Sequence, residues 1–233
     1  MRKKYLVRTE SLKEQVYRYL RDQIGQKNIQ PGAVINMNAI SLELGISKTP
    51  LRDALIQLES EGFVEIRPRR GVFVSRLGLD DIREIYLILG ALESAALLVN
   101  GDRFKPDQLE RMRQLNRQMK EALAEDDFER FYRHNLQFHQ VYLHLGENKR
   151  LRRTVDNLKR RLYDFPRQPR WIKEWEEASV LEHDRLVEFL EKNDTRGAAD
   201  FIRDVHWSFA VQERFIRRYY FPEPALAVSG SKN

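Results

Sequence analysis

Apolar residues recur every fourth position near the start of the chain. Leu12, Val16, Leu20 and Ile24 form one stripe on a helix of about four turns. Ser11 with Glu14 three residues on has capping-box spacing and marks the start of that helix. Pro31-Gly32 breaks the chain before a short apolar piece, Val34-Ile35. Asn38 is placed to cap a second, short helix over 39–44, with Gly45 just past its end. Ser47 is placed to cap a third, in which Pro50 occupies the first turn, where its missing N–H costs nothing. Leu51, Leu55 and Leu58 are its apolar stripe and Gly62 stops it. Two β-rich runs follow, 63–67 and 72–75, joined by Pro68-Arg69-Arg70-Gly71 as a hairpin turn.

From Asp80 the periodicity is helical throughout. Helices are expected from Asp80 or Asp81 to Asn100, from Pro106, over 127–145, over 148–165, over 171–191 and over 194–220. Short connections imply antiparallel neighbours. The pattern therefore predicts a mainly α protein. A winged helix-turn-helix over 1–75 and a linker over 76–79 precede an all-α six-helix bundle over 80–221. A Pro/Ala/Gly/Ser-rich tail over 222–233 is expected to be disordered.

The absence of cysteine excludes disulfides, cysteine-bound zinc, iron–sulfur clusters and thiol nucleophiles. The most apolar run, Ile85 to Val99, carries Glu93 and falls short of the roughly 20 residues a spanning helix needs. A cytoplasmic location with no membrane partner is the expectation. Charge matters through its position. Residues 1–75 hold 13 of the 41 Lys/Arg against 8 of the 35 Asp/Glu, so nearly all of the +6 net charge lies in the first third. A polyanion partner is expected for that module.

Only Gly45, Ile46 and Ser47 separate the second and third helices, the short turn of a helix-turn-helix. A DNA major groove about 12 Å wide admits one helix, whose N-terminal residues meet base edges. Lys48, Thr49 and Arg52 occupy that position, Lys48 and Arg52 on one face opposite the leucines. At the hairpin tip Arg69 and Arg70 can reach phosphates or the minor groove, and Gly71 lets the backbone pass close. The run from Leu44 to Leu55, LGISKTPLRDAL, with Leu58-Glu59-Ser60-Glu61-Gly62 and Arg69-Arg70-Gly71, resembles the GntR superfamily of bacterial transcription regulators. The resemblance implies a homodimer on a palindromic double-stranded operator. Lys48 stands where that family usually has Arg, and Asn38 where some members carry a DNA-contacting Arg.

All five histidines lie after residue 130. Asn135 and His139 share a face with Phe131 and Tyr142, which points that face inward. His183 and His206 fall near the middles of the last two expected helices. A single histidine at such a position is ordinarily a hydrogen-bonded residue, so the argument rests on convergence. Three imidazoles and the Asn135 oxygen suit zinc, nickel, iron or manganese. His134 and His144 point away from His139. This second part resembles the FCD group of FadR-type GntR regulators. That resemblance implies an effector-binding domain for a small molecule such as an organic acid, with Asn135, His139, His183 and His206 at the metal-ligand positions. Asn135 replaces the commoner Asp, and Leu89 stands where an Arg commonly holds a carboxylate effector. No catalytic residues are expected. A rival reading takes His183-Asp184 as the dipeptide of HD-type phosphohydrolases, with His139, Asp184 and Asp204 as further ligands.

Overall fold

The computed structural model describes residues 10–163 and 171–222. The basic segment before Glu10, the Pro166/Pro169 interruption and the tail from 223 lie outside the described residues. The chain divides into two compact units: Met1–Gly78 with Asp156–Arg167, and Leu79–Val155 with Gln168–Asn233.

In the first unit, α1 (Leu12–Gly25) opens with the capping box anticipated from Ser11 and Glu14. Of its expected stripe Val16, Leu20 and Ile24 are buried, whereas Leu12, the first residue of the helix, is exposed. Helix α2 (Met37–Leu44) begins two residues earlier than expected. Its cap is Asn36, whose Oδ1 accepts from the amides of Asn38 and Ala39. Asn38 is thus inside the first turn rather than capping it, because the side chain two residues upstream already satisfies the first amides. Gly45 takes the left-handed conformation at φ 61° and ends α2. Helix α3 (Lys48–Ser60) follows; Ser47 holds the N-cap position but makes no side-chain capping bond.

The wing is an antiparallel pair, β1 (Val64–Arg67) and β2 (Gly71–Val74), registered Val64 to Val74 and Arg67 to Gly71. Val34 adds an isolated bridge to Phe73, and the Ile35 amide donates to the Val72 carbonyl, so the short apolar piece is a third, minimal strand. Leu20, Ile24, Leu51, Leu55, Leu58, Phe63 and Val74 meet in one core under the helix-turn-helix. That core fixes the angle at which α3 presents its outer face.

The second unit contains α4 (Leu79–Asn100), α5 (Pro106–Ala124), α6 (Phe128–Leu143) and α8 (Lys173–Glu191). It is completed by α9 (Thr195–Phe201), a π-helical turn (Ile202–His206) and α10 (Phe209–Tyr220). Helix α7 (Lys149–Tyr163) is shared, its residues from Asp156 grouping with the first unit. The six helices expected after residue 79 are therefore seven α-helices among the described residues. The last expected helix breaks at 202–208, where the Trp207 amide reaches back five residues to the Ile202 carbonyl. The wider turn accommodates an additional residue that a regular α-helix would not. Gly90 on α4 makes room for this segment: a Cβ there would lie 3.2 Å from Trp207 Cβ and 3.4 Å from Arg203 Cα.

Candidate functional site

Two sites emerge, one in each unit. In the first, burial of Leu51, Ala54, Leu55 and Leu58 turns the opposite side of α3 to solvent. Lys48, Thr49 and Arg52 are exposed there, and neither cation is ion-paired among the described residues. Asn38 is exposed on α2. In the wing, Arg69 sits at φ 62° and Gly71 at φ 109°, so two left-handed residues fold the tip back. The Arg70 amide closes the turn on the Arg67 carbonyl at 3.0 Å. Both arginine side chains project into solvent.

In the second unit three helical elements bring their histidines together. His139 comes from α6, His183 from α8 and His206 from the last residue of the π turn. All three are buried, and their ligand nitrogens lie within 4.8 Å of one another. Ring centroids are 5.0–5.3 Å apart, a spacing at which one ion can be shared. Phe138 stacks on the His183 ring at 4.1 Å, and Trp207 flanks His139 and His206. Asn135, one turn before His139, is buried on the same face, and its Oδ1 accepts no hydrogen bond. A buried amide oxygen in that state suits a cation ligand.

Around the rings lies a layer of carboxylates. His139 Nδ1 is 2.9 Å from Glu93 Oε2 and 2.7 Å from the Tyr142 hydroxyl, which itself donates to Glu93. Burial, then the Glu93 charge, hold the Tyr142 phenol well above its ordinary pKa, so it remains a donor. His206 Nδ1 is 2.7 Å from Glu182 Oε2. Gln212 donates to the other Glu182 oxygen at 2.9 Å and accepts from Trp175 Nε1. Burial raises the Glu182 pKa, but the His206 hydrogen bond and charge, with Gln212, outweigh it and leave the carboxyl below its ordinary value. Carboxylates on Nδ1 direct Nε2 of His139 and His206 toward an ion and raise ring basicity. The residues fit a divalent transition metal.

Sequence reasoning named the three histidines but missed Glu93, Tyr142, Glu182 and Gln212 as their supports. One signal was legible: Glu93 is the lone charge in an apolar run, and a buried charge needs a partner. Leu89 is fully buried in the core. The phosphohydrolase reading fails on geometry. Asp184 turns to α5, bonded to Asn116 and Lys120, while exposed Asp204 pairs with Arg203. Neither joins the histidines.

An exposed basic helix end, an arginine wing and a buried histidine triad coincide with two family matches. Residues 12–74 match the bacterial regulatory proteins of the gntR family, and residues 84–206 match the FCD domain. The chain belongs to the gntR family. It joins a GntR-type DNA-binding domain to an FCD domain, and proteins of this family are transcription regulators rather than enzymes. It is similar to the HTH-type transcriptional repressor RspR of Escherichia coli K12, 27% identical over 65% of this chain and 66% of that one. It is also similar to the HTH-type transcriptional regulator YdhC of Bacillus subtilis, 25% identical over 81% and 84%. The match to RspR spans just under two thirds of that protein's length. The fold is shared with a GntR transcriptional regulator from Rhodococcus sp. RHA1, at TM-score 0.64 and 21% identity, covering 90% of this chain and all of that one. It is shared too with McbR/YncC of E. coli, at TM-score 0.61 and 21% identity over 89% and 96%. No helix of this GntR-family chain, among the described residues, is long and apolar enough to cross a membrane.

Proposed function

We propose that this GntR-family regulator binds a palindromic operator as a homodimer and answers to a small organic acid sensed at a metal-bearing histidine centre. The observation that carries the sensing part is the convergence of three buried imidazoles, two of which, His139 and His206, have Nδ1 beside a carboxylate. In this reading His139, His183 and His206, with Asn135 Oδ1, hold zinc, nickel, iron or manganese. A bound divalent ion supplies positive charge and an open position for an oxygen of the effector. The charge is useful here because Leu89 offers no cation to a carboxylate. The surrounding Phe138 and Trp207 rings exclude water, which strengthens that attraction.

On DNA, Lys48, Thr49 and Arg52 read base edges in the major groove. Asn38 and the Arg69-Arg70-Gly71 wing contact the backbone beside it. Lys48 offers a point charge and no fork, so Arg52 is the residue for bidentate guanine contact. The second copy is supported by α4. Leu87, Ile88, Leu98 and Val99 are 72%, 42%, 43% and 76% exposed, and with Ala91 and Ala95 they make one apolar face. A contiguous apolar face of this kind marks an association surface, and a two-fold operator requires two recognition helices.

The test combines metal content with DNA binding. Protein purified without added metal is expected to carry close to one equivalent of a transition metal. Operator selected from random duplexes is expected to bind more weakly or more tightly once a small carboxylate effector is added. Absence of metal in every preparation, or a centre that takes up none on titration, defeats the sensing mechanism.

A further inference from the structure

The exposed side of α4 reads alike from either end. Ala91 and Ala95 are exposed at its middle, with Leu87 and Ile88 on one side of them and Leu98 and Val99 on the other. Steps of three and four residues keep all six on one helix face. Each pair is centred on the level of Glu93, whose own side chain is buried on the opposite side. Beyond the apolar residues the two ends differ in charge. Glu84 continues the face toward the N-terminus, nine residues before that centre. Arg103 closes the short turn Gly101–Arg103 that follows α4, ten residues after it. Both are exposed, and neither has an ion-pair partner among the described residues. Arg103 donates one N–H to the Leu145 carbonyl at 3.1 Å. Exposed arginines without a carboxylate occur elsewhere on the chain; the distinction here is position, an acid and a base at the two ends of one apolar face.

A face in this order is complementary to itself when two copies lie antiparallel. A half-turn about an axis through the level of Glu93 sets Ala91 against Ala95, Leu87 against Val99 and Ile88 against Leu98. The small residues at the centre let the backbones come close, and the large ones meet on either side. The same rotation brings Glu84 of each copy to Arg103 of the other, so one match is made twice, as an isologous contact requires. Parallel packing would instead set Glu84 beside Glu84 and Arg103 beside Arg103, two like-charge contacts. A cavity of about 250 Å³ favours the antiparallel order. It lies between the end of α4 and the segment joining α6 to α7, lined by Ala95, Val99, Arg103, Leu143 and Leu151. Leu87, 72% exposed in the single chain, is the large side chain that antiparallel packing delivers to the Val99 wall of this cavity.

We infer that two copies associate through α4 in antiparallel register, with Glu84 of each copy paired to Arg103 of the other. The inference rests on the homodimer reading given above and fixes which ends of the two helices meet. The apolar centre supplies the attraction, and the two terminal ion pairs select the direction.

The chain contains no cysteine, so a single thiol can be placed at one chosen position. Full-length Glu84→Cys and Arg103→Cys are purified separately, mixed, left to exchange subunits and treated with a short bifunctional thiol cross-linker. A covalent dimer is expected from the mixture and from neither variant alone. Charge reversal gives an independent reading by sedimentation equilibrium. Glu84→Arg and Arg103→Glu are each expected to raise the dimer dissociation constant about tenfold or more, and Glu84→Arg/Arg103→Glu to return it to within about threefold of wild type. If the Arg103 variants lose their thermal transition with the Leu145 contact, Leu87→Cys mixed with Val99→Cys, both at exposed positions, carries the cross-linking test with the same expectation. Cross-linking of a variant with itself and none in the mixture shows parallel helices and overturns the register. A wild-type dimer that gives no cross-link in any sample and ignores both charge reversals overturns the α4 contact and leaves a homodimer held elsewhere. Wild-type protein that is monomeric at every concentration overturns the homodimer reading, and this inference with it.

Discussion

His206 Nδ1 lies 2.7 Å from a carboxylate oxygen of Glu182, one helix away and one residue before His183. A single side chain thereby ties two of the three imidazoles to one another. Glu182→Gln removes the charge but keeps the shape. It is expected to lower metal affinity by about 10–100-fold, the usual cost of losing an outer-shell partner. Competition against a colorimetric chelator measures it, and an affinity within twofold of wild type would sink the supporting role of Glu182.

Gly90 is the position where α4 runs against the π turn. Gly90→Val forces at least one extra group into a gap of 3.2 Å to Trp207 Cβ. Over-packing of this kind costs about 1–3 kcal/mol. Because the displaced segment carries His206, metal affinity is expected to fall with thermal stability. Calorimetry and metal titration on one sample test both, and a variant that melts as wild type with full metal would show the contact to be slack.

Arg52 is exposed one turn beyond Lys48, outside the buried stripe of α3. Arg52→Ala is expected to weaken operator binding by about 1–3 kcal/mol and to relax base preference at one position of each half-site. Melting temperature should not move. Anisotropy on a panel of single-base operator variants provides the readout, and a uniform loss across the panel would reassign Arg52 to the backbone.

On α4, Leu87 and Leu98 stand three turns apart on the same exposed apolar face. Leu87→Glu/Leu98→Glu places two charges there without touching the core. The doubly substituted protein is expected to sediment as a monomer at concentrations where the parent sediments as a dimer. A parent that is itself monomeric at every concentration would remove α4 as an interface.

Burial alone raises the Glu176 carboxyl from 4.5 to about 8. The folded chain keeps this proton until about pH 8, whereas the unfolded chain releases it near 4.5. Between those values the native state binds more protons than the unfolded state, so the contribution of Glu176 to stability declines as pH rises through the window. Glu176→Gln is expected to match wild type near pH 4 and to melt higher near pH 8. Identical melting profiles at both ends would show that the carboxyl finds solvent when it ionises.

The local pattern of the chain determined most of its elements, and the reasons are short-range. Ser11 and Glu14 close a box across one turn, Gly45 supplies a left-handed residue, and the leucines of α3 repeat at helical spacing. Such features depend on neighbours within four residues, which is why they can be read along the chain. The helix-turn-helix with its arginine wing was legible for the same reason. Three things were not. Asn36 took the cap in place of Asn38, a competition between two similar side chains that only backbone geometry resolves. The break at Ile202–His206 was invisible because its periodicity continues through the π turn; packing of α4 against that segment at Gly90 is a tertiary fact. The pairing of Glu93 with His139 spans 46 residues, and no rule of sequence spacing reaches that far. The chain could nominate histidines, but only the packing of separate helices could bring them within reach of one ion and surround them with carboxylates.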